Sequence, residues 1–212
     1  MRFGGIRPHT RAAVAMIVMY PLVEIFESLQ GEGRNTGRPC VFVRFAGCNF
    51  SCPWCDTDVR ESFSLSLEEL VGEIKSFKAK SVVLTGGEPT LVAGMPELVA
   101  RLRREGYWIA VETNGSIDAP WLQFADYTAC SPKAEYRNRI ALSHADEVRV
   151  VASSPETADF CREIRKRITA NDYYVSPCER DGEIDFAAAK NALSELEGWS
   201  LSVQLHKILG FR

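Results

Sequence analysis

The sequence lacks the features that mark membrane, nucleic-acid-binding and multidomain proteins. None of its apolar runs approaches the roughly 18 residues that a membrane-spanning helix needs. Its 25 basic residues are balanced by 28 acidic ones, which excludes a strongly basic surface for nucleic acid or acidic lipid. It also has no domain linker and no low-complexity tract. We therefore expect a chain that binds neither nucleic acid nor membranes.

The length and composition are those of one globular domain. The 212 residues, 46% of them hydrophobic, can bury a core without the disulfide or metal staples that much smaller chains need. We assign residues 19–212 to a single domain. Arg7 and Arg11 precede an apolar stretch that only faintly resembles a short signal peptide. We therefore interpret residues 1–18 as an N-terminal extension that is disordered until the first strand begins.

Cysteine usage indicates a reducing compartment. Seven cysteines cannot all pair, and three of them crowd into residues 48–55. Secreted domains pair their cysteines, whereas clustered cysteines in reducing surroundings suggest a metal site. We therefore predict a cytoplasmic protein. The remaining cysteines, which we expect to be small core residues, are Cys40, Cys130, Cys161 and Cys178.

From about residue 40, short β-branched runs alternate with stretches of helical periodicity. Ser66 and Glu69 have the spacing of a capping box at a helix start, and Gly106 is typical of a helix end. Ser154 and Asp185 are candidate N-caps for two later helices. Helices are predicted from residue 66 and over residues 96–105, 155–168 and 186–196, and strands over residues 41–45, 81–84, 108–112, 127–129, 147–151, 173–175 and 201–205.

Strands that alternate with helices predict an α/β protein with a parallel sheet. Six or seven such units are too few for a closed eight-stranded barrel, so we predict a partial, open βα barrel with about six parallel strands. Polar residues follow most of the predicted strands. Parallel strands place their carboxyl ends on one rim, where the active sites of βα barrels collect. The sequence therefore predicts a functional site at that rim.

Cys48, Cys52 and Cys55 follow the first of these strands with Cys-x3-Cys-x2-Cys spacing. Thiolates hold both iron–sulfur clusters and structural zinc. Zinc would need a fourth ligand, and the twenty residues after Cys55 contain neither histidine nor cysteine, although Cys40 upstream could serve. Three thiolates on a 4Fe–4S cluster leave one iron open to another ligand. We therefore favour a catalytic iron–sulfur cluster over zinc.

This cysteine pattern, with Trp54 before the third cysteine, resembles the signature of the radical S-adenosylmethionine (SAM) superfamily. The segment Gly86-Gly87-Glu88-Pro89 resembles that superfamily's second motif. The resemblance implies that the open iron is chelated by the amino and carboxylate groups of SAM. It also implies that the glycine-rich strand end contacts the amino group, a place that suits glycine because the backbone must approach the ligand closely.

A longer set of segments resembles one family of this superfamily, the 7-carboxy-7-deazaguanine synthases. That family contracts the ring of 6-carboxy-5,6,7,8-tetrahydropterin and releases ammonia, in queuosine and 7-deazapurine biosynthesis. The resemblance implies Mg²⁺ as a further cofactor, a flavodoxin or ferredoxin as reductant, and a homodimer. The segments that carry it are residues 27–33, 41–49, 55–57, 85–89, 112–115, 131–133 and 204–207.

The resemblance also implies roles for individual positions. Arg44 would hold the substrate carboxylate as a bidentate donor, and Thr57 would bind Mg²⁺ through its hydroxyl. The C-terminal carboxylate of Arg212 would contact the substrate. Further substrate contacts are implied for Leu29, Gln30, Gly31, Glu32, Thr85 and His206. Contacts with SAM are implied for Trp54, Gly87, Glu88, Thr113, Asn114, Ser131, Pro132, Lys133 and Ser176.

Plainer interpretations stay open for some of these residues. Arg44 could be a surface ion-pair residue, Thr57 a turn residue and His206 a satisfied buried histidine. The chain also departs from the family pattern at residues 176–179, where it has Ser-Pro-Cys-Glu and the family tends to show Gln-Pro.

Two other functions are compatible with the cysteine motif. A radical activating enzyme, which makes a glycyl radical on a partner protein, shares the motif and the compact size. Residues 29–33 and His206 argue against this alternative. A non-enzymatic metal-binding module is the second alternative, but such a module would have no use for the polar residues at the strand ends.

Overall fold

The computed structural model describes residues 17–60 and 63–211. Its helices are α1 (Leu67–Ser76), α2 (Met95–Arg104), α3 (Thr157–Arg167), α4 (Phe186–Ser194) and α5 (Leu205–Leu209). Its strands are β1 (Met19–Leu29), β2 (Pro39–Phe45), β3 (Phe63–Ser66), β4 (Ser81–Gly86), β5 (Trp108–Thr113), β6 (Tyr127–Cys130), β7 (Glu147–Ala152), β8 (Asp172–Arg180), β9 (Glu183–Asp185) and β10 (Ser200–Leu201).

The described strands form one sheet in the order β10-β8-β7-β6-β5-β4-β2-β1-β3, with β9 paired to β8. The run from β2 through β4, β5, β6, β7 and β8 to the short β10 is parallel. Strand β1 is antiparallel to both β2 and β3. Because β3 and β10 end this order without pairing to each other, the described sheet is not closed. The predicted partial, open βα barrel is confirmed.

The helix signals in the sequence are largely confirmed. The Ser66 hydroxyl accepts from the Glu69 N–H while the Glu69 carboxylate accepts from the Ser66 N–H, so α1 begins with the predicted capping box. Asp185 caps α4 by accepting from the Ala188 N–H at 2.9 Å. Gly106 follows the end of α2 with a φ of 80°, a conformation that glycine adopts without a steric penalty.

Two predicted elements are wrong. Ser154 is not the N-cap of α3, because its carbonyl accepts from the Thr157 N–H and hydroxyl in a turn, and the helix begins only at Thr157. The strand predicted over residues 201–205 ends at Leu201, and α5 begins at Leu205. The Ser202 N–H still donates to the Val175 carbonyl, but the chain then turns away from the sheet, and the Leu205 N–H donates to the Gly31 carbonyl beyond the end of β1.

Alternation along the parallel strands separates the core from the site. In β4, Val82 and Leu84 are fully buried in the main core, whereas Val83 and Thr85 point to the opposite face of the sheet. The same period of two occurs in the neighbouring strands. The helix-covered face is therefore the apolar core. On the other face, five strands (β2, β4, β5, β7 and β8) each offer one polar side chain, and these are Arg44, Thr85, Glu112, Arg149 and Ser176.

Some sequence expectations concern other parts of the chain. The four cysteines outside the motif are buried, at 0–2% exposure, as expected of core residues. Most of the predicted extension, residues 1–16, and the terminal Arg212 lie outside the described residues, so the division at residue 19 stays a prediction. In residues 17–60 and 63–211, no helix has the length and apolarity to cross a membrane.

Candidate active site

The carboxyl ends of the parallel strands border a cleft of about 950 Å³. Small-molecule sites usually have volumes of about 300–1,000 Å³, so the cleft lies at the upper end of that range. The predicted site residues that line it are Leu29, Gln30, Gly31, Glu32, Arg44, Cys48, Cys52, Trp54, Cys55, Thr57, Thr85, Gly87, Thr113, Asn114, Ser131, Lys133, Ser176 and His206.

Three predicted site residues are not among the lining residues. Glu88 has no exposed surface, and its carboxylate accepts from the Thr113 hydroxyl and the Asn114 N–H, both at 2.7 Å. It therefore ties the end of β4 to the end of β5 and does not face the cleft. Pro132 is also buried behind the lining. Arg212 lies outside the described residues.

The cysteine loop, residues 48–55, lies directly against the glycine-rich end of β4. A Cβ atom on Gly87 would come within 1.8 Å of the Gly47 carbonyl oxygen and 3.0 Å of the Cys48 Cβ. Only glycine permits this approach. The Gly87 and Glu88 N–H groups donate to the Phe45 and Gly47 carbonyls, each at 3.0 Å, so the two predicted motifs form one unit.

The three thiols of the loop suit an iron–sulfur cluster. They are unpaired, line one cleft and act electrostatically on one another. Burial raises the pKa of Cys52 to about 11, against the attraction of Lys133, so binding to iron must displace its proton. In the described part of the chain, no three His, Cys, Asp or Glu residues are arranged to hold a single metal ion. In a 4Fe–4S cluster each thiolate would bind a different iron.

The 3₁₀ segment Ala134–Arg139 packs against the cysteine loop and holds it in place. Tyr136 stacks on Phe50 with ring centroids 4.0 Å apart and an interplanar angle of 4°. The Tyr136 hydroxyl accepts from the Ser51 N–H at 2.9 Å and donates to the Ser51 carbonyl at 3.2 Å. The indole N–H of Trp54 donates to Glu135 at 2.9 Å. This support could not be predicted from the sequence, because nothing in the local pattern links residue 136 to residue 50.

Replacing Tyr136 with alanine is expected to shorten the lifetime of the iron–sulfur cluster. The variant loses the aromatic stack, worth about 0.5–1.5 kcal/mol beyond buried area, and both hydrogen bonds to Ser51. Cluster loss in the presence of a chelator, followed by visible absorbance, should be several-fold faster than in the parent protein. Tyr173→Ala is the matched control, since Tyr173 packs on Trp199, apart from the cysteine loop. Equal loss rates in the two variants would contradict the support role.

Arg149 forms a buried network with three carboxylates, which we call the Arg149 network. Its side chain is 6% exposed and contacts Glu112 at 2.8 Å, Glu147 at 2.7 Å, and Glu32. Glu112 also accepts from the Gln30 amide at 3.1 Å, while Glu32 accepts from the Gln204 amide at 2.9 Å. The network thus joins β5 and β7 to the turn after β1.

Arg149 and Glu112 are not among the predicted site residues. Burial would raise the pKa of Glu112, but the charge and hydrogen bonds of Arg149 outweigh it and hold that pKa below the ordinary value. The three carboxylates likewise raise the pKa of Arg149 against the effect of burial. The available signal was alternation in β7, where Glu147 and Arg149 interleave with buried valines.

Arg44 and His206 have contacts that bear on the interpretations left open. The Arg44 Nε donates to Glu24 at 2.8 Å, so Arg44 is an ion-pair residue and lines the cleft at the same time. His206 is half-buried and lines the cleft. Its Nδ1 lies so near Gly31 that a Cβ there would be 2.3 Å away. Ser176 has a buried Oγ without a hydrogen-bond partner among the described residues.

Known proteins that are similar to this chain identify its family. The profile described as Radical SAM superfamily matches residues 42–132. The chain is 42% identical over 200 residues to 7-carboxy-7-deazaguanine synthase of Haemophilus influenzae, covering 90% of this chain and 93% of that protein. The chain belongs to the 7-carboxy-7-deazaguanine synthase family. The Neisseria meningitidis 7-carboxy-7-deazaguanine synthase is 43% identical over 201 residues, with the same coverage.

Membership of the 7-carboxy-7-deazaguanine synthase family confirms the resemblance seen in the sequence. As a radical SAM enzyme, the chain uses a 4Fe–4S cluster and SAM. The crystal structure of QueE from Escherichia coli matches with a TM-score of 0.71 at 24% identity, covering 89% of this chain and 95% of that one. This likeness supports the open-barrel fold.

Proposed function

We propose that this chain is a radical SAM lyase that converts 6-carboxy-5,6,7,8-tetrahydropterin to 7-carboxy-7-deazaguanine and releases ammonia. The observation that supports it best is that a single cleft contains the three motif cysteines, residues 29–32 and His206. The relatives that match 90% of this chain are also named 7-carboxy-7-deazaguanine synthases. The reaction would serve queuosine and 7-deazapurine biosynthesis.

The residues of the cleft suit the division of labour that this reaction requires. When bound, the cluster and SAM would supply reversible hydrogen-atom abstraction at C6 of the pterin. Cys48, Cys52 and Cys55 hold the cluster. The strand-end residues hold SAM, with the Lys133 ammonium anchored by a 2.6 Å hydrogen bond to the Ser131 hydroxyl. The protein's task is to bind, orient and exclude water.

The opposite part of the cleft is assigned to the pterin. Arg44 would hold its carboxylate, and Gln30, Glu32 and Thr85 would contact the ring system. The Thr85 hydroxyl already donates to Glu112 at 2.9 Å, so the Arg149 network fixes the positions of these contacts before a ligand binds. Such preorganisation lowers the cost of binding.

Further parts of the proposal concern partners and surroundings. Thr57 would bind Mg²⁺ through its hydroxyl, together with substrate oxygens and water, as this hard cation prefers. A flavodoxin or ferredoxin would deliver the electron that starts the radical chemistry. We propose a homodimer in the cytoplasm, with residues 19–212 as one domain.

The two alternatives from the sequence are not favoured. A glycyl-radical activating enzyme would share the cysteine loop, but the relatives that match over nearly the whole chain are 7-carboxy-7-deazaguanine synthases. A non-enzymatic metal-binding module leaves the polar lining of a 950 Å³ cleft without a purpose.

The proposed reaction is tested by an anaerobic assay of the reconstituted enzyme with SAM, dithionite, Mg²⁺ and 6-carboxy-5,6,7,8-tetrahydropterin. Mass spectrometry should detect 7-carboxy-7-deazaguanine, with far less than one SAM consumed per turnover because the hydrogen is returned. The Cys52→Ala variant is the control and should form no product. Formation of 5′-deoxyadenosine without the deazaguanine would refute the substrate assignment and leave the radical chemistry standing.

A further inference from the structure

Lys207 connects three separate parts of the cleft mouth. Its ammonium lies 2.5 Å from Asp56 Oδ2, directly after the cysteine loop, and 2.5 Å from Glu179 Oε2 on β8. Lys207 itself belongs to α5. The Ser176–Glu179 segment, where the chain departs from the family pattern, therefore supplies one of the two anchors of this lysine.

The Glu179 contact is shielded from solvent, whereas the side chain of Asp56 is 47% exposed. The Lys207 side chain is 21% exposed, and Glu179 Oε2 is closed off from solvent, with the Lys207 ammonium as its charged partner among the described residues. Burial lowers the pKa of Lys207, but the hydrogen bond to Asp56 and the ion pair with Glu179 outweigh burial and leave that pKa above its ordinary value. The lysine is therefore a cation at physiological pH, positioned between two carboxylates.

Asp56 passes this constraint to Thr57. One carboxylate oxygen of Asp56 is taken by Lys207, and the other accepts from the Thr57 hydroxyl at 3.2 Å. Because the hydroxyl hydrogen points to Asp56, the lone pairs of the Thr57 oxygen are left for a cation in the cleft. The series Glu179, Lys207, Asp56, Thr57 thus runs from the sheet to the proposed metal ligand.

The other side of α5 is attached to the substrate end of the cleft. The Leu205 N–H donates to the Gly31 carbonyl at 2.9 Å, and the Gln204 amide donates to Glu32 at 2.9 Å. His206 lies between these contacts and Lys207. Residues 204–207 therefore contact residues 31–32 on one side and Asp56 on the other, and the Asp56 contact is made by Lys207.

The geometry points to Lys207 as a positioning residue that orients Asp56 and Thr57 for divalent-cation binding, with Glu179 as its anchor. This inference rests on the proposed function, because the cation at Thr57 is part of that proposal. Partners that orient metal ligands through hydrogen bonds typically change metal affinity by about 10–100-fold when removed.

The test compares Lys207→Met with the parent enzyme and with Lys75→Met. Lys75 is the matched control because its ion pair with Glu105 lies on the surface, with the lysine side chain 50% exposed. In Lys207→Met, the Mg²⁺ concentration for half-maximal product formation should rise about 10–100-fold, with iron content unchanged and turnover restored by excess Mg²⁺. The parent and Lys75→Met should need the same Mg²⁺ concentration for half-maximal product formation.

A second measurement does not depend on turnover. Without reductant, with SAM and the pterin present, free Mn²⁺ is titrated against each enzyme by electron paramagnetic resonance, and Lys207→Met should bind Mn²⁺ more weakly by a similar factor. Glu179→Gln keeps the shape of the anchor. It should raise the Mg²⁺ concentration for half-maximal product formation and weaken the binding of Mn²⁺, as Lys207→Met does, but by a smaller factor. This variant replaces Lys207→Met as the test if Lys207→Met does not fold.

The outcomes separate this inference from the proposed function. Product formation by the parent with identical cation dependence in Lys207→Met and Glu179→Gln would overturn the role of Lys207 and leave the reaction intact. Product formation independent of any divalent cation would also overturn it. If the parent forms no deazaguanine, the proposed function fails. If Lys207→Met also binds Mn²⁺ as tightly as the parent, the positioning role of Lys207 is overturned as well.

Discussion

Replacing Arg149 with methionine is expected to lower the free energy of unfolding by about 3–5 kcal/mol, the usual cost of removing one partner from a buried ion pair. The variant would leave Glu32, Glu112 and Glu147 without their shared cation, and at most one-quarter of any of these side chains is exposed. Urea unfolding at neutral pH measures the change. Arg162→Met is the control: its ion pairs are exposed, and it should cost less than about 1 kcal/mol.

The stability difference between Arg149→Met and the parent should depend on pH. In the parent, Arg149 holds the folded-state pKa of Glu112 below the unfolded value of about 4.3. The ionised Glu112 therefore adds to the free energy of unfolding above about pH 4.3, and this contribution is lost only as the pH falls through the folded-state pKa. In the variant, burial dominates and raises the folded pKa. Stability is then lost as pH rises through that pKa.

At acidic pH, the free energies of unfolding of Arg149→Met and the parent should therefore become more similar. Repeating the urea titrations between pH 7.5 and about 4.5 should show the variant regaining part of its stability relative to the parent as the buried carboxylates take up protons. A gap that stays constant across this range would show that the loss comes from packing and not from unpaired charge.

Replacing Gly87 with alanine is expected to reduce SAM cleavage by about 100-fold, the scale of loss that a 1 Å misplacement in an active site produces. The added Cβ would overlap the Gly47 carbonyl oxygen at 1.8 Å, so backbone must move, and Cys48 adjoins that carbonyl. Formation of 5′-deoxyadenosine under single-turnover conditions with dithionite gives the rate. Iron content should be measured on the same samples.

Gly72→Ala is the matched control for Gly87→Ala. Gly72 lies on the exposed side of α1, and a Cβ there would meet nothing within 4 Å. Alanine should raise stability at this position by about 1 kcal/mol through helix propensity without affecting cleavage. A fully active Gly87→Ala enzyme would contradict the close fit between the glycine-rich strand end and the cysteine loop.

Residues close together in the sequence account for what could be predicted about the site. The cysteine spacing, the Gly86–Pro89 motif and the polar residues that follow successive strands indicate chemistry at one rim, because parallel strands end on the same side. Together with the positions that the family resemblance adds, eighteen of the predicted site residues line one cleft. Glu88 differs because the same motif that brings Gly87 to the cleft turns the next side chain toward Thr113 and Asn114.

Contacts between distant residues could not be predicted in the same way. Arg149 meets Glu32 across 117 positions, and Lys207 meets Asp56 across 151. An arginine in a valine-rich strand and a lysine in a short helix are each compatible with ordinary surface positions until the sheet curves and α5 packs against residue 31. The end of β10 was missed for the same reason, since the hydrogen bond from Leu205 to Gly31 joins residues far apart in the sequence.

The open α/β barrel, the cysteine loop and the family were predictable from the sequence, because alternating hydrophobicity and short motifs depend on neighbouring residues. Which charged groups share the cleft became known only from the folded chain. Folding places Arg149 among three carboxylates and Lys207 between two, since burial and distance set the strength of an ion pair, and both are properties of the folded chain.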